Sequence, residues 1–492
     1  MSICTLFRQF VTSKQLLKCS IKTLKFQAPK WFTGRTMIRT ISTNTSLKRK
    51  AEVTMLPNGI RVASYWHPNE MATVGVFIDS GSASETVETN GSAHFLEHLL
   101  FKGTQKRTRM SLEKEVENIG GQLNAYTSRE HTVYYSKVFK RDVNQAIDIL
   151  SDILLYSKLE TDAIEEEKYV ILREMEEVEK NVEEVIFDQL HTSVFRGNPL
   201  SFTILGPPQN ISNMNREILS SRLATQYTPK RMVFVGVGDI NHSDFVNTVN
   251  SHMGSLRNIS GMSNEPVVPK PTFFPIDTIE KLDDKDTGHI AVAYEAAGWK
   301  NPQHFTFLLI QSLLSYYDSA NDAFLPGSLS IHPSVTIMSK KLTPHSFVAF
   351  NGFTTIYKNT GLFGFYMKAS ADNLMTYVNE LGCYINGLPY SLTEEYLDIA
   401  KRQLRRQILE SLESTTSICE DIGRHLLVYN KHFSALEFLQ IIENITKEQV
   451  IHILLNHVNR NPVAFAAQMP YEMKQPSAND LRLAKCGYLS HT

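Results

Sequence analysis

The sequence predicts a multidomain α/β protein, and three observations carry that prediction. From Ala51 onward, strand-type and helix-type segments alternate. Residues 258–284 hold several prolines and little periodicity, and read as a linker. Beyond them, His289-Ile290-Ala291-Val292-Ala293-Tyr294 repeats the strand-then-helix opening of the first half. At 492 residues the chain is too long for one ordinary domain. Its 42% hydrophobic and 21% charged content is that of a soluble globular protein able to bury large cores.

The first 50 residues differ in kind from the rest. They contain Arg8, Lys14, Lys18, Lys22, Lys25, Lys30, Arg35, Arg39, Lys48, Arg49 and Lys50, many Ser and Thr, and no acidic side chain. That is the composition of a mitochondrial transit peptide, without the continuous apolar core of a secretory signal. A basic nucleic-acid arm is the weaker alternative, because apolar residues alternate with the charges. Cleavage after Ile41 would remove eight cationic residues and take the net charge from −1 to −9. An acidic body suits a cationic peptide substrate through its field. The five cysteines, Cys4, Cys19, Cys383, Cys419 and Cys486, show no C-x-x-C pairing, which fits a reducing compartment. No apolar run approaches the roughly 18 residues of a membrane-spanning helix.

Val53-Thr54-Met55-Leu56 and Arg61-Val62-Ala63-Ser64-Tyr65 flank Pro57-Asn58-Gly59, a hairpin signature. Residues 73–79 form a further strand ending at Ser80-Gly81-Ser82. A helix containing His94 follows, and a second helix breaks at Gly120-Gly121. Residues 122–127 and 132–138 read as neighbouring strands. Residues 142–156 place Val143, Ala146, Ile147, Leu150 and Leu154 on one side of an amphipathic helix. Residues 161–195 read as one long acidic helix, with Gly206-Pro207-Pro208 as a loop after it. A strand at 232–238 leads into a helix at 242–252.

The chemistry concentrates in His94-Phe95-Leu96-Glu97-His98. On a helix, His94 and His98 lie one turn apart and can present imidazole nitrogens to one metal. Glu97 then lies beside the metal, suited to take a proton from an attacking water. H-x-x-E-H is the inverted zinc-peptidase motif. An amphipathic helix with two partly buried histidines is the plain alternative. A hydrolytic zinc keeps three protein ligands, so a third must come from elsewhere. Glu174, among apolar neighbours in the acidic segment, is a candidate, with Glu167 two turns earlier on nearly the same face. Most glutamates in such a run form a solvated face.

The motif, the Phe101-Lys102-Gly103-Thr104 after it, Gly120-Gly121-Gln122-Leu123-Asn124-Ala125-Tyr126-Thr127-Ser128-Arg129-Glu130 and Ile171-Leu172-Arg173-Glu174-Met175-Glu176-Glu177-Val178 resemble the M16 (pitrilysin) metallopeptidases. Within that family the likeness is to the β subunits of mitochondrial processing peptidases. It runs from about Val53 to the C-terminus and is densest between Gly81 and His191.

The resemblance implies two homologous α/β (α+β) domains, each a mixed, largely antiparallel sheet flanked by helices. The expected division is a transit peptide at 1–41, a catalytic domain at 50–257, a linker at 258–284 and an inactive-type domain at 285–492. It implies one Zn2+ per chain on His94, His98 and Glu174, with Glu97 as general base and Glu167 supporting the site. It also implies that Glu184 and Asp188 hold the substrate arginine two residues before the cut, where the bare pair would read as surface acids. Guanidinium and carboxylate match bidentately. Phe101 would line the pocket after the cut, or be ordinary core. Asn124 and Ala125 would lie on an edge strand that pairs with extended substrate, or in a plain hairpin.

The expected activity is removal of N-terminal presequences from proteins imported into the mitochondrial matrix, by a zinc endopeptidase. The family's α subunit carries a glycine-rich loop. Here Ser319-Ala320-Asn321-Asp322-Ala323 stands instead, so a processing-peptidase α subunit is the expected partner. A core subunit of the cytochrome bc1 complex, peripheral on the inner membrane, and a homodimeric M16 peptidase of short peptides are the alternatives. No nucleic-acid partner is expected.

Overall fold

The computed structural model describes residues 47–257, 270–282, 286–314, 316–319, 334 and 348–470. The 1–41 segment with its cleavage point, residues 258–269 and 283–285 of the expected linker, and residues 320–323 lie outside the described residues. Two six-stranded sheets organise the described chain. The first uses β1 (Glu52–Met55), β2 (Arg61–Trp66), β3 (Met71–Ile78), β4 (Gln122–Thr127), β5 (Thr132–Phe139) and β6 (Met232–Gly238), in the order β1-β2-β6-β3-β5-β4. The second uses β7 (Asp277–Leu282), β8 (Thr287–Ala296), β9 (Tyr316–Asp318), β10 (Val348–Ile356), β11 (Gly361–Ser370) and β12 (Ala464–Pro470), in the order β7-β12-β8-β11-β10-β9.

The two sheets share one plan. β2 runs parallel to β6, and every further step across β3, β5 and β4 is antiparallel. β7 likewise runs parallel to β12, followed by antiparallel β8, β11 and β10. The first sheet adds β1 at one edge, and the second adds β9 at the other. This is the duplication expected from the resemblance, and the fold is the mixed, two-sheet α/β architecture.

Strand alternation explains how the sheets are covered on both faces. In β6, Met232 and Phe234 enter the first domain's core, while Val233, Val235 and Val237 face the opposite side. That opposite side is covered by a helix from the second half, Thr415–Tyr429, through Ile418, Cys419, Ile422 and Leu426. The helix fits because small residues sit at the contact. A methyl at Gly423 would stand 2.4 Å from the Phe77 ring, and one at Gly75 would stand 2.9 Å from Cys419 Sγ. The exchange is reciprocal. The helix Val182–Val194 covers the second sheet, with Ile186, Leu190 and Val194 on Ala291, Ala293, Ala464 and Ala466. Each half therefore buries a helix of the other.

Two expectations need correction. The acidic segment is not one helix: Thr161–Val178 ends at Glu179, and Val182–Val194 begins after an extended Asn181 (φ −89, ψ 93). The break turns the second piece away to reach the second sheet. Within the expected linker, Asp277–Leu282 is strand β7, recruited by parallel pairing with β12 from the far end of the chain. Its half-polar sequence, Asp-Thr-Ile-Glu-Lys-Leu, suits an edge strand and hides it from period analysis.

Hairpin tips from the two halves meet over the crossing helix. The Lys358 amide donates to the Glu130 carboxylate at 2.9 and 3.0 Å, and the Lys358 ammonium pairs with Asp79. His191 donates from Nδ1 to the Phe187 carbonyl at 2.6 Å, so its Nε2 accepts from the Tyr357 hydroxyl at 2.8 Å. Burial, then the nearby Arg129, hold this imidazole neutral. Among the described residues, no helix is long and apolar enough to cross a membrane.

Candidate metal centre

The motif histidines stand on an eight-residue helix, Ser92–Leu99, of which only His98 among the motif residues is not buried. So short a helix has little stability of its own. Its N-terminus is held instead by Glu85, a wholly buried carboxylate from the turn after β3. Glu85 accepts from the Gly91 amide (2.9 Å), the Ala93 amide (2.6 Å), the Ser92 hydroxyl (3.1 Å) and the Asn90 amide (2.8 Å). A carboxylate there satisfies the free N–H groups and complements the helix dipole. Arg222 stands 3.5 Å from Glu85 and also donates to Ser80 Oγ, the Gly81 carbonyl and Ser84 Oγ. Burial raises the Glu85 carboxyl, opposed by Arg222 and the hydrogen bonds.

The chain packs tightly against this end of the helix. A methyl at Gly206 (φ 73) would stand 2.4 Å from the Asn90 carbonyl oxygen, and Gly91 itself has φ 101. Both conformations favour glycine.

The acidic helix Thr161–Val178 lies across the motif helix and delivers two glutamates. Glu174 Oε2 stands 3.7 Å from His94 Nε2 and 3.5 Å from His98 Nε2. Donors of one tetrahedral zinc, bound at about 2.0–2.2 Å, lie about 3.4 Å apart. The separations of Glu174 Oε2 from the two imidazole nitrogens are therefore those of ligands to a single ion, and one donor atom of each of the three residues lies within 4.8 Å of the others. Glu167, two turns back on nearly the same face, accepts from His98 Nδ1 at 2.7 Å. That bond puts the His98 proton on Nδ1 and leaves the Nε2 lone pair toward Glu174. Lys102 pairs with the other oxygen of Glu167. Burial alone would raise the Glu167 carboxyl, but the bonds from His98 and Lys102 outweigh it and hold the group below its ordinary range.

His94 is wholly buried, and burial followed by its neighbour His98 keeps it neutral, as a ligand must be. Glu97 is 5% exposed, and its Oε2 has no hydrogen-bond partner among the described residues. Burial raises the Glu97 carboxyl, against the Thr127 hydroxyl and His98, with Glu174 adding to the rise. Such a shift moves a carboxylate toward the range of a useful base. Three carboxylates, Glu97, Glu167 and Glu174, face one ammonium, Lys102. The clustered carboxylates give the place the sign of charge that a bound cation offsets. The donor set, the orphaned carboxylate oxygen and the charge all fit a metal.

The other expected residues are distributed around this centre. Phe101 is half-buried and packs against the first core, with its ring 6.1 Å from that of Tyr134. Asn124 and Ala125 lie on β4, which among the described residues pairs only with β5 and has no strand on its other edge, beside the motif helix. Glu184 and Asp188 stand one turn apart on the crossing helix. Glu184 accepts from the Asn181 amide at 2.8 Å, and Asp188 accepts from Arg129 Nη2 at 2.6 Å. Arg129 is buried and also donates to the Leu200 carbonyl. Sequence reasoning missed Glu85, Arg222 and Lys102. Lys102 lay within a quoted motif, but only the fold brings it to Glu167.

Peptidase family M16, described as insulinase, matches residues 61–208, and the peptidase M16 inactive domain matches residues 213–404. The chain is 40% identical to the mitochondrial-processing peptidase subunit beta of Lentinula edodes, over 87% of this chain and 92% of that protein. It is 36% identical to the subunit of the same name from Saccharomyces cerevisiae, over 89% and 95% of the two chains. The corresponding figures for the Mus musculus protein are 38%, 88% and 87%. Among solved structures, a chain of complex III2 from Candida albicans with Inz-5 bound superposes with a TM-score of 0.77. It is 17% identical over 88% of this chain and 99% of that one, so it shows the fold alone.

Replacing Glu167 with Gln should leave the fold and metal stoichiometry intact. The lost charge on the far side of His98 should weaken metal affinity by about 10–100-fold, measured by competition with a chelator. Unchanged affinity would mean that packing alone orients the His98 ring.

Proposed function

Because this chain belongs to peptidase family M16, we infer that it is the metal-bearing, β-type subunit of a mitochondrial presequence-processing endopeptidase. The observation that carries this reading is the convergence of His94 Nε2, His98 Nε2 and Glu174 Oε2 beside the orphaned, buried Glu97 carboxylate. His94, His98 and Glu174 would hold one Zn2+ per chain. A zinc ion there supplies Lewis acidity, polarising a scissile carbonyl and acidifying water.

The chain's own residues do the rest. Glu97 takes the proton of the attacking water and returns it to the leaving amine, so peptide-bond cleavage balances without a further acid. Glu167, fixed by Lys102, keeps the His98 ring in one orientation. The open edge of β4 offers backbone groups at Asn124 and Ala125 to an extended peptide. Main-chain pairing is indifferent to side chains, which suits presequences of varied sequence. Phe101 would border the position after the cut.

Glu184 and Asp188 form the proposed arginine subsite. Asp188 accepts from an internal guanidinium, Arg129, and Glu184 Oε1 accepts from the Asn181 amide. We place the protein in the matrix with a processing-peptidase α subunit as partner. The second domain, whose helix His304–Leu314 stands at the motif-helix position with Phe305, Phe307 and Leu309 buried, would enclose substrate without catalysing.

Assembled with an α-type partner, the chain should cleave a presequence peptide, lose that activity on chelation, and recover it with about one equivalent of zinc. Cleavage that persists after complete metal removal would overturn the assignment.

Glu184→Gln should lower kcat/KM about ten- to a hundred-fold for substrates with arginine two residues before the cut, the value of a charge-assisted bond. It should largely spare substrates with alanine there. Equal losses on both substrates would reduce Glu184 to general electrostatic attraction.

A further inference from the structure

Away from the peptidase centre, a second histidine–carboxylate cluster stands where the returning helix Thr415–Tyr429 meets the N-terminal segment. Asp421 and His425 occupy successive turns of that helix, and His432 follows its left-handed cap, Asn430 (φ 54). One donor atom of each residue lies within 4.8 Å of the other two. His425 is 2% exposed, and its Nδ1 has no hydrogen-bond partner among the described residues. Its Nε2 stands 3.6 Å from Asp421 Oδ1, beyond hydrogen-bond length. A buried imidazole nitrogen without a partner is rare and calls for an explanation. The 3.6 Å spacing also falls between the 3.5 and 3.7 Å separations of Glu174 from the two motif histidines.

We propose that Asp421, His425 and His432 form a second site for a borderline divalent metal such as Zn2+. Two imidazoles and one carboxylate favour such an ion over Mg2+ or Ca2+, which prefer all-oxygen shells. The helix C-terminus nearby adds a favourable partial negative charge.

Two neighbours compete with the ion. Arg424 donates to Asp421 Oδ1 at 2.6 Å, the same oxygen that faces His425 Nε2, so the ion must compete with the guanidinium for it. The Ala51 amide donates to His432 Nδ1 at 3.1 Å, which places the neutral ring's proton on Nε2. As a neutral imidazole His432 can therefore become a ligand only by giving up the Ala51 bond, either through Nδ1 itself or through Nε2 once the proton moves to Nδ1. Ala51 belongs to a docked basic segment: Lys50 pairs with Glu437 at 2.6 Å, and Arg49 lies 4.3 Å over the Trp66 ring. Metal at this site and docking of residues 49–51 are thus linked, and each weakens the other by the same factor. The site would be weaker than the peptidase centre and would report on the N-terminal segment.

Equilibrium dialysis of the intact protein against Zn2+ tests the proposal. The wild type should bind about two equivalents, one tight and one weaker. Asp421→Asn, at a side chain 42% exposed, should lose the weaker equivalent and keep the tight one with unchanged peptide cleavage. His425→Gln should behave alike, and Asp421→Asn alone decides if that core variant fails to fold. Amide exchange across residues 49–53 should accelerate as the weaker equivalent binds to the wild type, and stay constant in Asp421→Asn. A single equivalent in the wild type, or a second one retained by Asp421→Asn, overturns the site. Exchange that does not respond to the second equivalent overturns the linkage.

Discussion

The candidate site depends on one buried ionic contact, the Glu85 carboxylate beneath the N-terminus of the motif helix. Eight residues cannot sustain a helix in water, yet this helix carries two proposed ligands and the proposed base within five positions. Glu85 gathers its first amides, and Arg222 ties that carboxylate to the Ser80–Ser84 turn leading out of β3. The motif helix is thereby fixed to the sheet through charge and hydrogen bonds as well as through Phe95, Leu96 and Leu99 in the core. Removing one partner of such a buried pair leaves an uncompensated charge, which typically destabilises by about 3–5 kcal/mol. Geometry at His94 and His98 is consequently set from behind the helix, by groups that never meet substrate.

The same economy of position appears at larger scale. Two sheets of one plan each lend the other a helix, so neither half can bury its outer face alone. The lending helix of the first half is also the one that bears Glu184 and Asp188, and its break from the acidic helix at residues 179–181 is what frees it to cross. The proposed ligand Glu174 and the proposed arginine subsite therefore sit on consecutive helices with different anchors: one on the first domain's core, the other on the second sheet. Arg129, at the tip of the β4–β5 hairpin, bridges them by holding Asp188.

Local chemistry was legible in the sequence where spacing alone decides it. His94, Glu97 and His98 share a helical face through their positions, and Glu167 and Glu174 follow the same period on the next helix. The strand read at 61–65 announced itself through the Pro57-Asn58-Gly59 turn, 122–127 through the Gly120-Gly121 break before it, and 232–238 through its apolar run. What stayed hidden depends on contacts distant in sequence. Glu85 and Arg222 are 137 positions apart and carry no pattern. Residues 277–282 became a strand only because β12, nearly two hundred residues later, lies beside them. The acidic run kept helical propensity through residues 179–181, and tertiary demand for the second sheet's cover broke it there. The pairing of Asp188 with Arg129 likewise could not be read from one turn of acids.

The central claim is that Glu97 moves the proton while His94, His98 and Glu174 hold the metal, and one substitution separates the two roles. Glu97→Gln preserves shape and hydrogen-bonding reach but cannot accept a proton. Metal content and turnover should be measured on the same preparation, assembled with its partner. The account predicts full metal occupancy and normal substrate affinity, with kcat lowered by at least the roughly 10²–10⁴-fold typical of a lost general base. Near-normal turnover with the metal in place would contradict it.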